Sequence, residues 1–211
     1  NDIKKNNSIN SIKNIKSVLK IQSVWLMMMI IMSAYVGYKL TDIYSLYASQ
    51  VMLYDQIEAA KIGALQLYLR PLVCITIGLS ADKTSSVKLI IIGFSIMLIG
   101  ALVFSLGIIN STMNIIFLLS LIMTAVGTYA IRALYFAVFN EGKIPVEITG
   151  TAVGIISIVG YTPDIFVTPI MGYLIDNYPG IVGYQYVFMM LVMFSLLGLL
   201  ASIKFQKITI N

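Results

Sequence analysis

The stretch RPLVCITIGLSADKTSSVKLIIIGF, from Arg70 to Phe94, decides how this chain is read. It sets an arginine among apolar residues, breaks into the polar knot SADKTSSVK over 80–88, and resumes as a hydrophobic run. A bilayer's hydrocarbon core is about 30 Å thick, so a helix rising 1.5 Å per residue needs about 20 mainly apolar residues to cross it. Two such runs joined by a short charged turn describe a membrane hairpin. Asp82 and Lys83 fall in the turn, where water or headgroups solvate them. Arg70 falls inside a span and needs another reason.

The whole composition agrees with that hairpin. Of 211 residues 59% are hydrophobic and 11% charged, and the mean hydropathy is +0.92. Soluble domains carry about 25% charged residues. Cys74 is the single cysteine and histidine is absent. Disulfide frameworks, imidazole bases and His- or Cys-rich metal sites are therefore excluded, and neither a metal nor a cofactor is expected. The chain opens with Asn1 and a polar, lysine-rich stretch without a signal-peptide pattern, and reads as a piece of a longer protein.

Six segments pass the length test: Val24–Tyr47, Ile62–Leu79, Leu89–Ile109, Ile115–Phe139, Ile148–Ile175 and Tyr184–Phe205. Short connections hold turn chemistry, as in Asn110-Ser111-Thr112 and Asn177-Tyr178-Pro179-Gly180. The alternating ten-residue segments of a membrane β-barrel do not occur. The expected fold is an all-α bundle of six membrane helices over 21–205, with a linker over 1–20 and a tail over 206–211. Lys4, Lys5, Lys13, Lys16, Lys20, Lys83, Lys88, Lys143, Lys204 and Lys207 collect on one side of the alternating loops and Lys61 alone on the other. The positive-inside rule then places both ends in the cytoplasm, in a cell or inner membrane. The +5 charge follows from this topology and implies no nucleic-acid partner.

Gly78, Asp82 and Lys83, with Lys88 ending the run, resemble the signature turn of the major facilitator superfamily, G-x-x-x-D-R/K-x-G-x-R/K-R/K. Ser85 replaces its glycine and Ser86-Val87 a polar-basic pair, a degeneracy like that of the motif's second copy. The stretch NEGKIPVEITGTAVGIISIVGYTPDIF, followed by GYLIDNYPG, is similar to the tenth-to-twelfth helix region of bacterial members. The resemblance implies a C-terminal half, helices seven to twelve, built of two inverted three-helix repeats and partnered by an N-terminal six-helix half. It also implies a gating latch, in which Asp82 meets the positive end of a helix dipole while Lys83 pairs locally. A plain solvated turn is the alternative.

Charges inside the spans are the candidate site. Tyr35, Lys39 and Asp42 share one face of the first span; Gly63, Gln66 and Arg70 share one on the second. Tyr129, Arg132 and Phe136 do so on the fourth, and Pro163-Asp164 interrupts the fifth. Such groups cost about 2.5–3.5 kcal/mol each near the bilayer centre, so they should face a bundle interior or a wet cavity. Arg70-Pro71 and Pro163-Asp164 fall in corresponding helices of the two repeats, the pattern of a midplane substrate site. Structural pairing, Lys39 with Asp42 and Arg70 with Asp164, is the alternative, yet three cations against two anions leave one without a partner. A carboxylate- or phosphate-bearing solute suits Arg70 and Arg132, because guanidinium binds such groups through two hydrogen bonds. Asp42 and Asp164 are the only acids available for proton coupling; exchange against a counter-substrate needs neither.

Other residues read as structural. Gly150, Gly154 and Gly160 form a small-residue packing face with Ser157. Gly93, Gly100 and Gly107 repeat every seven residues on the third span. The third and sixth spans, lacking midspan charges, should face lipid. Trp25 and Tyr47, and Tyr178 with Tyr184, are expected as interfacial anchors. Ile12, Ile15 and Leu19 among lysines suit either a helix on the anionic leaflet or a flexible linker. The expected function is a secondary active permease moving a small polar solute, preferably anionic, by alternating access. Proton-coupled efflux or uptake of a neutral or hydrophobic solute is the alternative. An intramembrane enzyme lacks its usual catalytic groups, and a channel lacks a visible pore loop.

Overall fold

A computed structural model of the chain describes residues 13–210. Most of the linker expected over 1–20, with Lys4, Lys5 and Ile12, lies outside the described residues. After a helical segment over 13–19 (α1) come α2 (Gln22–Leu40), a 3₁₀ turn (Thr41–Ile43) and α3 (Tyr44–Gln50). Then follow α4 (Gln56–Ala81), α5 (Ser86–Ser105), α6 (Asn114–Leu134), the single turn α7 (Val138–Glu141), α8 (Val146–Gly160), α9 (Pro163–Asn177) and α10 (Ile181–Ile210). Six stretches are long and apolar enough to cross a bilayer: Gln22–Gln50, Gln56–Ala81, Ser86–Ser105, Asn114–Leu134, Val146–Asn177 and Ile181–Thr209. The protein is an all-α, six-span membrane protein.

The boundaries follow from local chemistry. Asp55 caps α4 by accepting a hydrogen bond from the Glu58 N–H at 2.7 Å. Asn110 Oδ1 accepts from the Thr112 N–H at 3.0 Å and closes the turn before α6. Two spans are not continuous α-helices. The first passes through the 3₁₀ turn, and the fifth breaks at Tyr161-Thr162, so that Pro163 opens α9 where its missing N–H costs nothing. Pro71, by contrast, sits within an unbroken α4. The 206–211 tail continues α10 as far as Ile210.

Packing centres on α5, against α6 on one side and α10 on the other. This corrects the expectation that the third and sixth spans simply face lipid: each buries one face and exposes another. Phe94, Met97, Ala101 and Phe104 of α5 and Tyr184, Val187, Phe188 and Leu191 of α10 are buried, while Ile92, Ile99, Met193 and Leu200 are exposed. Absence of charge marks a span as apolar; it does not say which neighbour covers it. Gly93 and Gly127 let the α5 and α6 backbones meet, since a Cβ on Gly93 would lie 3.3 Å from the Gly127 carbonyl oxygen. Gly100 packs likewise on the Ser120 carbonyl, but Gly107 lies beyond α5 in a turn at φ 64°.

The small-residue face on the fifth span divides. Gly160 packs tightly on Ile31 of α2, whereas nothing among the described residues lies within 4 Å of a Cβ at Gly150 or Gly154. Spacing put these glycines on one face, but the face α8 buries runs through Ala152, Ile156 and Gly160 at four-residue intervals, and Gly150 and Gly154 lie off it. Two anchor assignments are also corrected. Tyr47 and Tyr184 are fully buried, packed edge to face at 5.1 Å with Phe104, Phe117 and Phe188 around Tyr47. The aromatic core claims them because their rings find aromatic partners there. Trp25 and Tyr178 remain exposed. In α1 it is Val18 that is buried, while Ile15 and Leu19 stay exposed.

The spans differ in how much this chain covers. In the first, 61% of the most apolar window is buried; in Gln56–Ala81 the share is 17% and in Val146–Asn177 22%. Exposed Leu67, Tyr68, Leu72 and Ile75 on α4, and Ile158, Ile165 and Tyr173 on α8 and α9, form its open faces.

Candidate functional site

The site assembles where the two irregular spans meet. On α2, Tyr35, Tyr38 and Lys39 lie at offsets of three and four, and Asp42 follows in the 3₁₀ turn, so all four share one side. The break in the fifth span brings Tyr161 and Asp164 opposite that side. The Tyr35 hydroxyl donates to Asp164 Oδ2 at 2.8 Å, and Lys39 Nζ lies 3.4 Å from Asp164 Oδ1 and 3.8 Å from Asp42 Oδ2. The Lys39 side chain is 20% exposed, Asp164 51% and Asp42 69%. Lys39 therefore sits inside, held between two carboxylates that reach outward. The ring of Tyr35 meets Tyr161 edge-on at 4.9 Å, and the hydroxyls of Tyr161 and Tyr135 lie 3.2 Å apart.

Arg132, near the end of α6, lies over the Tyr38 ring, with Cζ 3.7 Å from its centroid and 5.2 Å from that of Tyr35. A cation over two aromatic faces is held by their quadrupoles without being neutralised. Its Nη1 is buried and has no hydrogen-bond partner among the described residues. Arg70 of α4 lies 5.6 Å from the same Tyr38 ring. Neither arginine has a carboxylate within 4 Å among the described residues, because both acids are engaged by Lys39. The Arg70–Asp164 pairing weighed from sequence does not form; Lys39 takes Asp164 instead, since the break carries Asp164 to α2 and away from α4.

Tyr38 also walls a cavity of about 270 Å³ lined by Asp42, Gly63, Gln66, Arg70 and Tyr129. Buried Gln66 donates through Nε2 to the Thr41 carbonyl at 3.3 Å, and its Oε1 has no partner among the described residues. The 3₁₀ turn makes that carbonyl available, because its tighter winding takes it out of the regular i to i+4 ladder. Of the expected site residues, Tyr35, Lys39, Asp42 and Asp164 form one group, Arg70, Gln66 and Tyr129 line the cavity, and Arg132 joins the two through Tyr38. Phe136 leaves the stripe, since α6 ends at Leu134 and Phe136 lies exposed in the turn beyond. Tyr38, Tyr135 and Tyr161 were missed. The i+3 offset of Tyr38 from Tyr35 could have found it; nothing local marks the other two.

In the turn that closes α4, the described residues do not form the expected latch contact. Gly78 faces open space, Asp82 closes α4 as an exposed cap, and neither Asp82 nor Lys83 makes a side-chain hydrogen bond or ion pair among the described residues. The carboxylate seated at a helix start is Glu141, which accepts from the Ser86 N–H at 3.0 Å and from Ser85 Oγ at 3.1 Å. It caps α5 from the far end of the fourth span, a long-range contact that spacing does not reveal.

No protein-family model matches the chain. It is 38% identical over 76 residues to the inner membrane protein YihN of Escherichia coli (strain K12), a match covering 36% of this chain and 18% of that relative. It is also 38% identical over 81 residues to the inner membrane protein YqcE of the same organism, covering 38% of this chain and 19% of the relative. The matched stretches thus span less than a fifth of either relative. Inner membrane residence is what both names state, in keeping with six spans.

Proposed function

We propose that this chain is one half of a secondary active transporter of the major facilitator type, moving a small polar solute with an anionic group by alternating access. Its lysine-rich end faces the cytoplasm. The observation that carries this reading is that Arg132 and Arg70 flank one tyrosine, with no carboxylate partner among the described residues, beside a polar cavity. Charge at membrane depth is costly, so unneutralised guanidinium groups suit a site whose counter-ion arrives as cargo. The open faces of α4 and of α8–α9 favour a second bundle packed there. Only 17% and 22% of those windows is covered by this chain.

A second reading, proton-coupled movement of a neutral solute, draws on Asp164, a half-exposed carboxylate held by Tyr35 and Lys39 near the middle of the fifth span. Reconstitution of the full-length protein in liposomes tests both. Saturable exchange or gradient-driven flux is expected, inhibited by small anions. Conductance that stays ohmic and unsaturated would reject a transporter. Asp164→Asn separates the two readings: the proton-coupled one requires the variant to lose its response to a pH gradient, and anion exchange does not.

A further inference from the structure

Outside this site, a groove of about 400 Å³ runs between α2 and α10 on the perimeter of the bundle. Its walls are Trp25, Leu26 and Met29 of α2 and Leu197, Leu200 and Ala201 of α10; Gln22 and Lys204 stand at one end. The order along it is graded. Leu200 and Leu197 lie four and seven residues before Lys204, about 6 and 10 Å deeper along the helix, and Met29 lies about 6 Å deeper than Trp25. One end is therefore cationic and shallow, and the rest is apolar.

Among the described residues no carboxylate neutralises Lys204. Residues 13–20, α2 and α10 contain no acidic residue, and among the described residues Lys16, Lys20, Lys204 and Lys207 form no ion pair. The groove is also held in shape. The Trp25 indole N–H donates to the Leu19 carbonyl at 2.9 Å, which fixes the ring and ties α1 to α2.

We infer that this groove binds a phospholipid with an anionic headgroup, its acyl chain along Trp25, Met29, Leu197 and Leu200 and its phosphate at Lys204. The chemistry matches at both ends: an apolar concavity with its long axis across the membrane suits an acyl chain, and Lys204 at its shallow end attracts a negative headgroup. Snorkelling accounts for a lone surface lysine. It does not account for an apolar hollow directly beneath one.

Trp25 is the single tryptophan of the chain and can report on the groove. The experiment uses the full-length protein with every tryptophan outside this chain replaced by phenylalanine, in bilayers of phosphatidylcholine containing brominated phosphatidylglycerol or brominated phosphatidylcholine. Quenching of Trp25 should favour the brominated phosphatidylglycerol by roughly fivefold in relative affinity, the effect of about one well-placed lysine at a headgroup. Lys204→Gln should bring that preference close to one, and Lys204→Arg should keep it. Lys207→Gln, one turn beyond the groove, should leave it intact. Leu197→Phe, which narrows the groove, should reduce quenching by both lipids. Equal quenching by the two lipids in the unmodified site would overturn the proposal, as would a preference that survives Lys204→Gln. So would a loss in Lys207→Gln as large as in Lys204→Gln, which would mean diffuse surface attraction. Absence of quenching by either lipid would place a protein surface over the groove and overturn it too.

Discussion

Two tyrosine-rich regions of this bundle use the same side chain in opposite ways. Tyr44, Tyr47 and Tyr184 are fully buried in a cluster where Tyr47 stacks on Phe117 at 5.6 Å and Phe104 on Phe188 at 4.3 Å. There the ring is a large apolar body, and the hydroxyls of Tyr44 and Tyr184 find Thr124 and Gln50. Tyr35 and Tyr38 instead offer ring faces to Arg132, and Tyr35 a hydroxyl to Asp164, with Tyr161 packed edge-on against Tyr35. Neighbours, not residue type, assign the role. The first region holds spans together; the second keeps charge at depth without cancelling it.

The comparison breaks first on stability. Phe104→Ala removes a ring from the stacked cluster and should cost about 3–5 kcal/mol, by lost contacts plus the cavity left behind. Thermal unfolding in detergent should show a much lower midpoint, while transport per folded molecule stays near its original value. Arg132→Gln should do the reverse. Losing a charge-assisted contact to a solute anion, about 2–3 kcal/mol, lowers uptake at limiting solute by roughly 100-fold. The unfolding midpoint should move little, because Arg132 has no carboxylate to strand. A large loss of stability in Arg132→Gln with unchanged flux would make the second region structural like the first.

How much of this was legible follows from the same contrast. Six spans were readable because length and hydropathy are summed along the chain and need no knowledge of partners. The charged residues were readable as a set because each is costly alone in lipid. Of their pairings, Lys39 with Asp42 was readable from the spacing of three, whereas Lys39 with Asp164 was not. Lys39 reaches Asp164 only because the fifth span breaks at Tyr161-Thr162, and Pro163 announces a disturbance there without its direction. Tyr47 and Tyr184 looked like interfacial anchors because tyrosine near a span end usually is one. Only the convergence of α5, α6 and α10 makes that place a core. Glu141 was passed over as a loop acid, since the helix start it caps lies 55 residues away in sequence.

Glu141→Gln sharpens the picture at smaller scale. The amide still accepts from the Ser86 N–H but loses its charge at the positive end of α5, so the expected cost is about 0.5–1 kcal/mol. High salt should mask part of it in the original protein. Substitution of Asp82 by Asn should cost less, because its carboxylate is exposed and unpaired among the described residues. Equal or greater loss at Asp82 would restore it as the latch residue.

The most discriminating comparison pairs two tyrosines on one span. The Tyr47 hydroxyl is buried and has no hydrogen-bond partner among the described residues, whereas Tyr35 donates to Asp164. Deleting an unsatisfied buried hydroxyl relieves a desolvation penalty, and deleting a satisfied one forfeits a bond to a charged acceptor. Tyr47→Phe should therefore leave stability unchanged or raise it by about 1 kcal/mol, with flux unaltered. Tyr35→Phe should leave Asp164 held by Lys39 alone and slow transport by about tenfold, since a hydrogen bond to a charged group contributes about 1.5 kcal/mol. The two substitutions remove the same atom from the same residue type on one span. If their effects were equal, the division of tyrosines into a packing set and a charge-holding set would fail, and with it the argument that Arg132 is kept unneutralised for a cargo anion.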